Sequence, residues 1–300
     1  MKILVTGATG YIGGSVAHRL VSEGHAVRGL VRSPEKAGVL ASRGITPVIG
    51  DLDKSDLLAE EAAQADAIVN AASTLHFEAA QALVTGARAG TRIVHTSGIG
   101  AYSNDEHGQL GDHPVLDDTS LPPVGPHLMQ QKVREVENVF LGAASAGKHG
   151  IVLSNPLIYG VGLGMARHSV QIPMMARAAA EAGYVAILEP GTNVWSTAHI
   201  EDVVDLYILA LAKAPAGSFY FVENGSSSFA DIGKALAAKL DLGEPRFLPL
   251  GATAAIYGEM AARYLLGTSS RVRAKRARED LGWSPKYRSA EDWIASDADF

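Results

Sequence analysis

Three glycines at intervals of three, in Thr6-Gly7-Ala8-Thr9-Gly10-Tyr11-Ile12-Gly13, are the first residues whose types and spacing suit a defined chemistry. A strand-like apolar run over residues 2–6 precedes them and a helix-like stretch over residues 10–22 follows. In that setting Gly7 permits a tight turn, Gly10 lets backbone approach a pyrophosphate, and Gly13 allows close packing of helix on strand. The helix start adds free N–H groups and a positive dipole end. The binding set expected from this loop is Gly7, Thr9, Gly10, Tyr11, Ile12 and Gly13. Its spacing is one residue longer than the common dinucleotide fingerprint. The next strand ends Leu30-Val31-Arg32-Ser33. A carboxylate at its end would hold the ribose hydroxyls of NAD, whereas a guanidinium offers a 2′-phosphate a planar fork of donors. Arg32 therefore points to NADP, with NAD less favoured. Lys36 reaches the same phosphate from the next helix, and Arg28, inside the strand, is a weaker alternative.

Regular elements must position these groups. Strand-like runs at residues 2–6, 26–32, 46–49, 67–70 and 92–96 alternate with helix-like stretches at 10–22, from 33 onward, 54–65 and 75–89. That alternation means βαβ units and a parallel sheet. Residues 103–126 break the pattern, with three glycines, four prolines and no periodicity. A long irregular segment inside a compact domain is more often functional than a linker. A long helix at 127–148, a sixth strand at 151–154 and a glycine-rich turn at 160–164 follow. Further helices are expected at 172–182, 200–213, 229–240, 252–266 and 272–280, with short strands at 185–188 and 218–222. The expected fold is α/β: a Rossmann-type doubly wound parallel sheet with a smaller mixed α/β C-terminal substrate region. Residues 1–155 form the NADP-binding core; residues 156–300 are mainly substrate-binding, with some chain returning to the core sheet.

Composition narrows the partners. Hydrophobic residues make up 47% and charged residues 19%, a core-forming balance that excludes disorder as the main state. A net charge of −6 makes nucleic acid a poor electrostatic partner. The longest apolar run, residues 206–212, is far short of the ~20 residues a bilayer span needs. The glycine loop arrives before a signal-peptide apolar region could form, so a cytoplasmic location without membrane partners is expected. There are no cysteines, which excludes disulfides, thiolate catalysis and zinc–sulfur sites. The ten histidines show no metal-ligand spacing, so no metal is expected.

The segment TGATGYIG resembles the short-chain dehydrogenase/reductase superfamily, in its extended, epimerase/dehydratase-like branch, and the resemblance runs over nearly the whole chain. Gly50-Asp51-Leu52, Asn70-Ala71-Ala72, Asn155-Pro156-Leu157-Ile158-Tyr159-Gly160, Ser196-Thr197-Ala198-His199-Ile200-Glu201-Asp202-Val203 and Leu281-Gly282-Trp283-Ser284-Pro285 carry it, with Asn155 where the family usually has arginine. The resemblance implies that Asp51 and Leu52 contact adenine and that Ala71, Ala72 and Pro156 line the cofactor. It also implies a tyrosine four residues before a lysine on the long helix after the fifth strand. That lysine holds the nicotinamide ribose, and the tyrosine is acid or base on the substrate oxygen. Lys132 is present, but Leu128 stands in the tyrosine position, and none of the nine tyrosines lies four residues before a lysine. The family's serine or threonine, four residues before Tyr102, falls on Gly98; a one-residue difference in the loop would restore Ser97.

Leucine cannot transfer a proton, so the family's usual mechanism cannot operate unchanged. Replacement donors by position are His127, about 100° around the helix from Leu128, Tyr102 after the fifth strand, and His113 in the irregular segment. Water would serve a substrate whose developing charge is modest. Leu128 itself is expected to face the nicotinamide as an apolar wall. The resemblance further implies a two-fold homodimer through the helices at 75–89 and 127–148. Three readings follow. The first is an NADP(H)-dependent oxidoreductase acting on a small carbonyl or related unsaturated compound. The second is a non-catalytic, NADP-sensing regulator. The third is a sugar-nucleotide epimerase or dehydratase, with Arg263, Arg271 and Arg273 serving a diphosphate; it suffers most from the missing tyrosine. Met165, Tyr257, Met260 and Tyr264 are the expected pocket linings, and their apolar or aromatic character favours an uncharged substrate.

Overall fold

Ile3, Leu4 and Val5 are each at most 1% exposed, and Ile68, Val69, Ile93 and Val94 are fully covered. Such near-continuous apolar runs are what a parallel sheet sandwiched between helices requires. The computed structural model describes residues 1–112 and 114–300. In chain order the first half runs β1 (Lys2–Thr6), α1 (Tyr11–Ser22), β2 (Ala26–Val31), α2 (Pro34–Ser42), β3 (Thr46–Ile49), α3 (Ser55–Gln64), β4 (Ala67–Asn70), α4 (Phe77–Gly86), β5 (Arg92–Gly98), β6 (Leu116–Asp117) and α5 (Leu128–Leu141). The second half runs β7 (His149–Asn155), β8 (Leu157–Tyr159), α6 (Gln171–Ala182), β9 (Ala186–Leu188), β10 (Val194–His199), α7 (Ile200–Lys213), β11 (Ser218–Phe221), β12 (Ser226–Ser228), α8 (Phe229–Lys239), β13 (Arg246–Leu248), α9 (Leu250–Tyr257), β14 (Val272–Arg273), α10 (Lys275–Leu281) and α11 (Ala290–Ser296). The main sheet has the order β11-β7-β5-β4-β1-β2-β3 with every pairing parallel. This is the doubly wound Rossmann-type architecture. The smaller sheets β12-β10-β8, β13-β9 and β14-β6 belong to the C-terminal half and its tie to residues 103–126.

Several boundaries differ from the sequence reading for local reasons. The helix expected to reach residue 148 ends at Leu141 and tightens into a 3-10 turn, Gly142–Ala146, before Gly147 at φ 70°. The helix expected over 252–266 is broken by Gly258 at φ 84°, giving α9 and then a π-helical turn, Ala261–Leu265. The stretch 272–280 starts as β14, not as helix. Strand β10 is absent from the sequence reading, as is α11.

Residues 103–126 are not a free lid. The Asn104 N–H donates to Ser269 O at 3.0 Å, Gly108 N–H to Gly267 O at 2.6 Å, and Leu116 N–H to Arg271 O at 3.0 Å. The buried Asp118 carboxylate accepts the N–H groups of Phe221, Lys275 and Arg276 at 3.0–3.1 Å. The segment is a strap sewn to the C-terminal half. The two motifs of the C-terminal half join each other. The Asp202 carboxylate accepts from the Lys286 and Tyr287 N–H groups, and the Asp202 carbonyl accepts from Trp283 Nε1 at 2.9 Å. Their shared role is a clip between α7 and the chain after α10.

Candidate active site

The turn between β1 and α1 fits a pyrophosphate. Gly7 has φ 74°, and a Cβ there would lie 2.5 Å from Ala71 O. A Cβ at Gly13 would lie 2.5 Å from Gly7 O, so the helix sits on the loop only because that atom is missing. A Cβ at Gly10 would meet only Gly7 O, at 3.2 Å, and otherwise open space. That is the one position of the three where a ligand can take the room. No side chain caps α1 at Gly10, so the N–H groups of its first turn, Tyr11, Ile12 and Gly13, have no intrahelical acceptor. Sequence reasoning missed how the second glycine-rich turn closes on this loop. Tyr11 Oη donates to Gly160 O at 2.8 Å, the Leu163 N–H donates to Ser15 Oγ at 3.1 Å, and a Cβ at Gly164 would strike the Gly14 backbone. Burial pushes the Tyr11 phenol up, so it stays a neutral donor.

Arg32 is exposed just past the end of β2. Arg28 is removed from contention, because it makes a two-pronged ion pair with Glu61 at 2.6 and 2.7 Å. Lys36 stands exposed in the first turn of α2, whose N-cap is Ser33. Asp51 and Leu52 are half-buried after β3, and Asp51 Oδ1 accepts the Asp53 N–H at 3.1 Å. Half-buried Thr9 lies in the loop, Ala71 packs on Gly7, Ala72 is exposed, and Pro156 is buried between β7 and β8. Across the C-terminal ends of β1 and β4 to β5, Thr6 Oγ1 donates to Asn70 Oδ1 at 2.6 Å, and Asn70 Nδ2 lies 3.1 Å from His95 Nδ1. Complete burial lowers His95 to about 3, and its ring stacks on Phe140 at 4.4 Å.

The catalytic expectations need correction. Strand β5 pairs with β7 without a break from Arg92 to Gly98, ending at Gly98 opposite Asn155. No bulge shifts the register, and successive side chains alternate between faces. Ser97 and Gly98 therefore face opposite sides of the sheet. Ser97 Oγ donates to Glu137 Oε1 at 2.5 Å. Tyr102 is 2% exposed; its hydroxyl donates to Glu137 at 3.0 Å and accepts from Arg134 at 3.1 Å. Burial first, and the Glu137 charge second, push that phenol up. Both candidate donors are thus locked into a core network around a fully buried carboxylate. The clue in the sequence was an acid, Glu137, on the buried stripe of a helix beside Val133, Val136 and Phe140.

The buried residues of α5 are Gln130, Val133, Val136, Glu137 and Phe140, and Phe140 stacks on His95 of β5. Leu128 is 72% exposed and Lys132 is exposed, one turn apart on one face. Met129 is half exposed and Val133 8% exposed. His127, at the start of α5, has Nε2 3.2 Å from Asp105 Oδ2 and packs edge-on to Tyr264. Asp105 was not singled out in the sequence. His113 lies outside the described residues. Of the expected linings, Met165 and Tyr257 are half-buried, and Tyr257 Oη donates to Ala186 O at 2.9 Å. Met260 and Tyr264 are exposed.

Comparison with known proteins settles the lineage. The model of the NAD dependent epimerase/dehydratase family matches residues 3–222. The chain belongs to that family. Membership supports an oxidoreductase-type protein with a nicotinamide dinucleotide as cofactor. Among similar proteins, a 3-diazoavenalumate denitrifying reductase from Streptomyces sp. is 28% identical, over 98% of this chain and 99% of that protein. A 4-hydroxy-2-methyl-3-oxo-4-farnesyl-3,4-dihydroquinoline-1-oxide ketoreductase from Stigmatella aurantiaca is 27% identical, over 95% and 92%. The fold matches a dTDP-glucose 4,6-dehydratase from Bacillus anthracis str. Ames, solved with NAD, at TM-score 0.77 and 17% identity, over 98% of this chain and 94% of that one.

Proposed function

We propose that this family member is an NADP(H)-dependent oxidoreductase acting on a small carbonyl or related unsaturated compound. The observation that carries the cofactor preference is Arg32. It stands exposed where a ribose-binding carboxylate would otherwise be, and among the described residues it has no carboxylate partner. Arg28, the other cation of that strand, is held by Glu61. The first turn of α1 would hold the pyrophosphate, Ala71 and Pro156 would flank the cofactor, and Arg32 with Lys36 would hold the 2′-phosphate. When bound, the cofactor supplies or accepts hydride. The two similar reductases support reduction as the direction. The sugar-nucleotide reading is weaker, because Arg263 is paired with Glu259 and Arg273 with Glu223. The NADP-sensing reading is favoured by one observation, Leu128 where the family has its tyrosine.

A homodimer through α4 and α5 is not favoured by their outward faces. Gln81, Thr85, Gln131, Lys132, Glu135 and Asn138 are exposed there, with Phe77, Leu128 and Met129 the apolar exceptions. No described helix is long and apolar enough to cross a membrane. We read the protein as cytoplasmic, with a small-molecule substrate and no nucleic-acid partner. Calorimetric titration with NADPH and NADH tests the cofactor reading. NADPH oxidation across a carbonyl panel separates enzyme from sensor: tight NADPH binding with no turnover of any compound would favour the sensor.

A further inference from the structure

We infer, on the reading just proposed, that the substrate is an apolar, conjugated hydride acceptor, such as a quinone or an enedione. Two independent features lead there. The first is the state of every hydroxyl at the end of β5. Gly98 has no side chain, Ser97 is held by Glu137, and Thr96 Oγ1 accepts from Tyr207 Oη at 2.7 Å. On α5 the residue four before Lys132 is Leu128, which has no proton to give. An isolated ketone reduced here would become an alkoxide, about as basic as hydroxide, and none of these described side chains offers it an acid; water has a pKa of about 15.7. A phenolate-like anion, with a conjugate acid near 10, is a weaker base by about six orders of magnitude and survives until water protonates it.

The second feature is the rim. Met129, Val170, Met260 and Tyr264 are all exposed, from 39% to 63%. Three segments supply them. The His127–Tyr264 ring contact and the hydrogen bond from Gln171 Nε2 to Leu265 O, at 3.0 Å, tie those segments together. The cation on that π-helical turn, Arg263, is paired with Glu259. The rim therefore suits a flat apolar molecule and offers no free charge from that turn to a phosphate or carboxylate.

The step balances as follows. The electrophilic carbon of the acceptor gains hydride, and the C=C pair shifts onto a carbonyl oxygen as a delocalised enolate. A solvent proton then completes the reduced product, and the reduced dinucleotide is oxidised by two electrons.

The test begins with calorimetry. Failure to bind either dinucleotide overturns both the oxidoreductase reading and this inference. If NADPH binds, the NADP+-loaded protein is titrated with 1,4-naphthohydroquinone and with cyclohexanol, and the hydroquinone is expected to bind at least about tenfold tighter. Initial rates above the protein-free rate are then compared for 1,4-naphthoquinone, an ene-1,4-dione and cyclohexanone. General acid catalysis is worth about 10²–10⁴-fold, so kcat/KM for the conjugated acceptors should exceed that for cyclohexanone by at least ~100-fold. It should be flat with pH between about 6 and 9, since no protein acid takes part. Equal reduction of cyclohexanone, with a pH profile that disappears in His127→Ala or His113→Ala, overturns the inference and leaves the oxidoreductase reading intact. Tight NADPH binding with turnover of neither class overturns it in favour of the sensor.

Discussion

Replacing Arg32 by alanine should separate the two nicotinamide cofactors. The guanidinium is exposed, has no carboxylate partner among the described residues, and follows directly on β2. No internal ion pair is lost with it, so the whole effect should appear in binding. A hydrogen bond to a charged group contributes about 1.5–3 kcal/mol, and each 1.4 kcal/mol is about tenfold in affinity. Arg28 cannot stand in, because its fork is already closed on Glu61 at 2.6 and 2.7 Å. Lys36 can, as a point charge, which keeps the loss toward the lower end. Arg32→Ala should therefore weaken NADPH by one to two decades and leave NADH within about twofold. Calorimetry at fixed ionic strength is the assay, since at 0.1 M salt exposed charges are screened beyond about 10 Å. Adenosine 2′-monophosphate carries the same phosphate without the pyrophosphate and should lose the same factor. Equal losses for NADPH and NADH, or a wild-type protein that binds NADH as tightly as NADPH, would refute the assignment.

Four further outcomes follow from the geometry. Leu128→Tyr restores a phenol four residues before Lys132 and should raise reduction of cyclohexanone by roughly tenfold or more, whereas Met129→Tyr, about 100° around the helix, should not; the reverse order would show that the tyrosine position is misassigned. Lys132→Ala should weaken NADPH binding by roughly tenfold, as expected of a lysine that holds the nicotinamide ribose; unchanged affinity by calorimetry would make it an ordinary solvated helix lysine. His95 is held at about 3 by burial, below its unfolded value of about 6.5, so the unfolded chain takes up the proton first and stability is lost as pH drops through that window, by up to about 1.4 kcal/mol per unit; urea unfolding of His95→Gln should show a shallower slope between about pH 6 and 5. Sedimentation at micromolar concentration should find a monomer, and a stable dimer abolished by Leu128→Glu would contradict the polar reading of the α5 outer face.

The nucleotide half was legible because its signals are local. Glycines at 7, 10 and 13 between a strand and a helix leave little freedom, and each meets the steric demand expected of it. The β-strand runs of the core are buried on both faces and so read as unbroken apolar segments. The catalytic half was not legible, because it depends on rotation and register. Lys132 fixes a position along the sequence, but that Ser97 and Tyr102 are tied up follows from which stripe of α5 is buried, the one that carries Glu137. Ser97 and Gly98 differ by one residue, and nothing local shows that the Ser97 hydroxyl is taken by Glu137, 40 residues on. The strap at 103–126 had no periodicity to read, since its order comes from partners more than 100 residues away. Strand β10 was missed because Ser196, Thr197 and His199 dilute its apolar pattern, although every one is buried.

Those distant partners also impose a timetable on synthesis. Asp118 finds its acceptor role complete only when Phe221, Lys275 and Arg276 have all been made, and the last two lie 157 and 158 residues further along. At about 5–20 residues per second, the ribosome leaves that carboxylate waiting for roughly 8–30 seconds. Until residue 221 has been made, β7 lacks its outer neighbour β11, and Tyr102 lacks the Phe219 and Phe221 rings that cover it. An ionised Asp118 in water keeps the unfinished strap soluble over this open seam. The same residue, once buried, joins segments made first, middle and last. A nascent chain stalled before residue 275 would therefore expose an unpaired strap and be a substrate for chaperones or proteases, whatever the state of its phosphate loop.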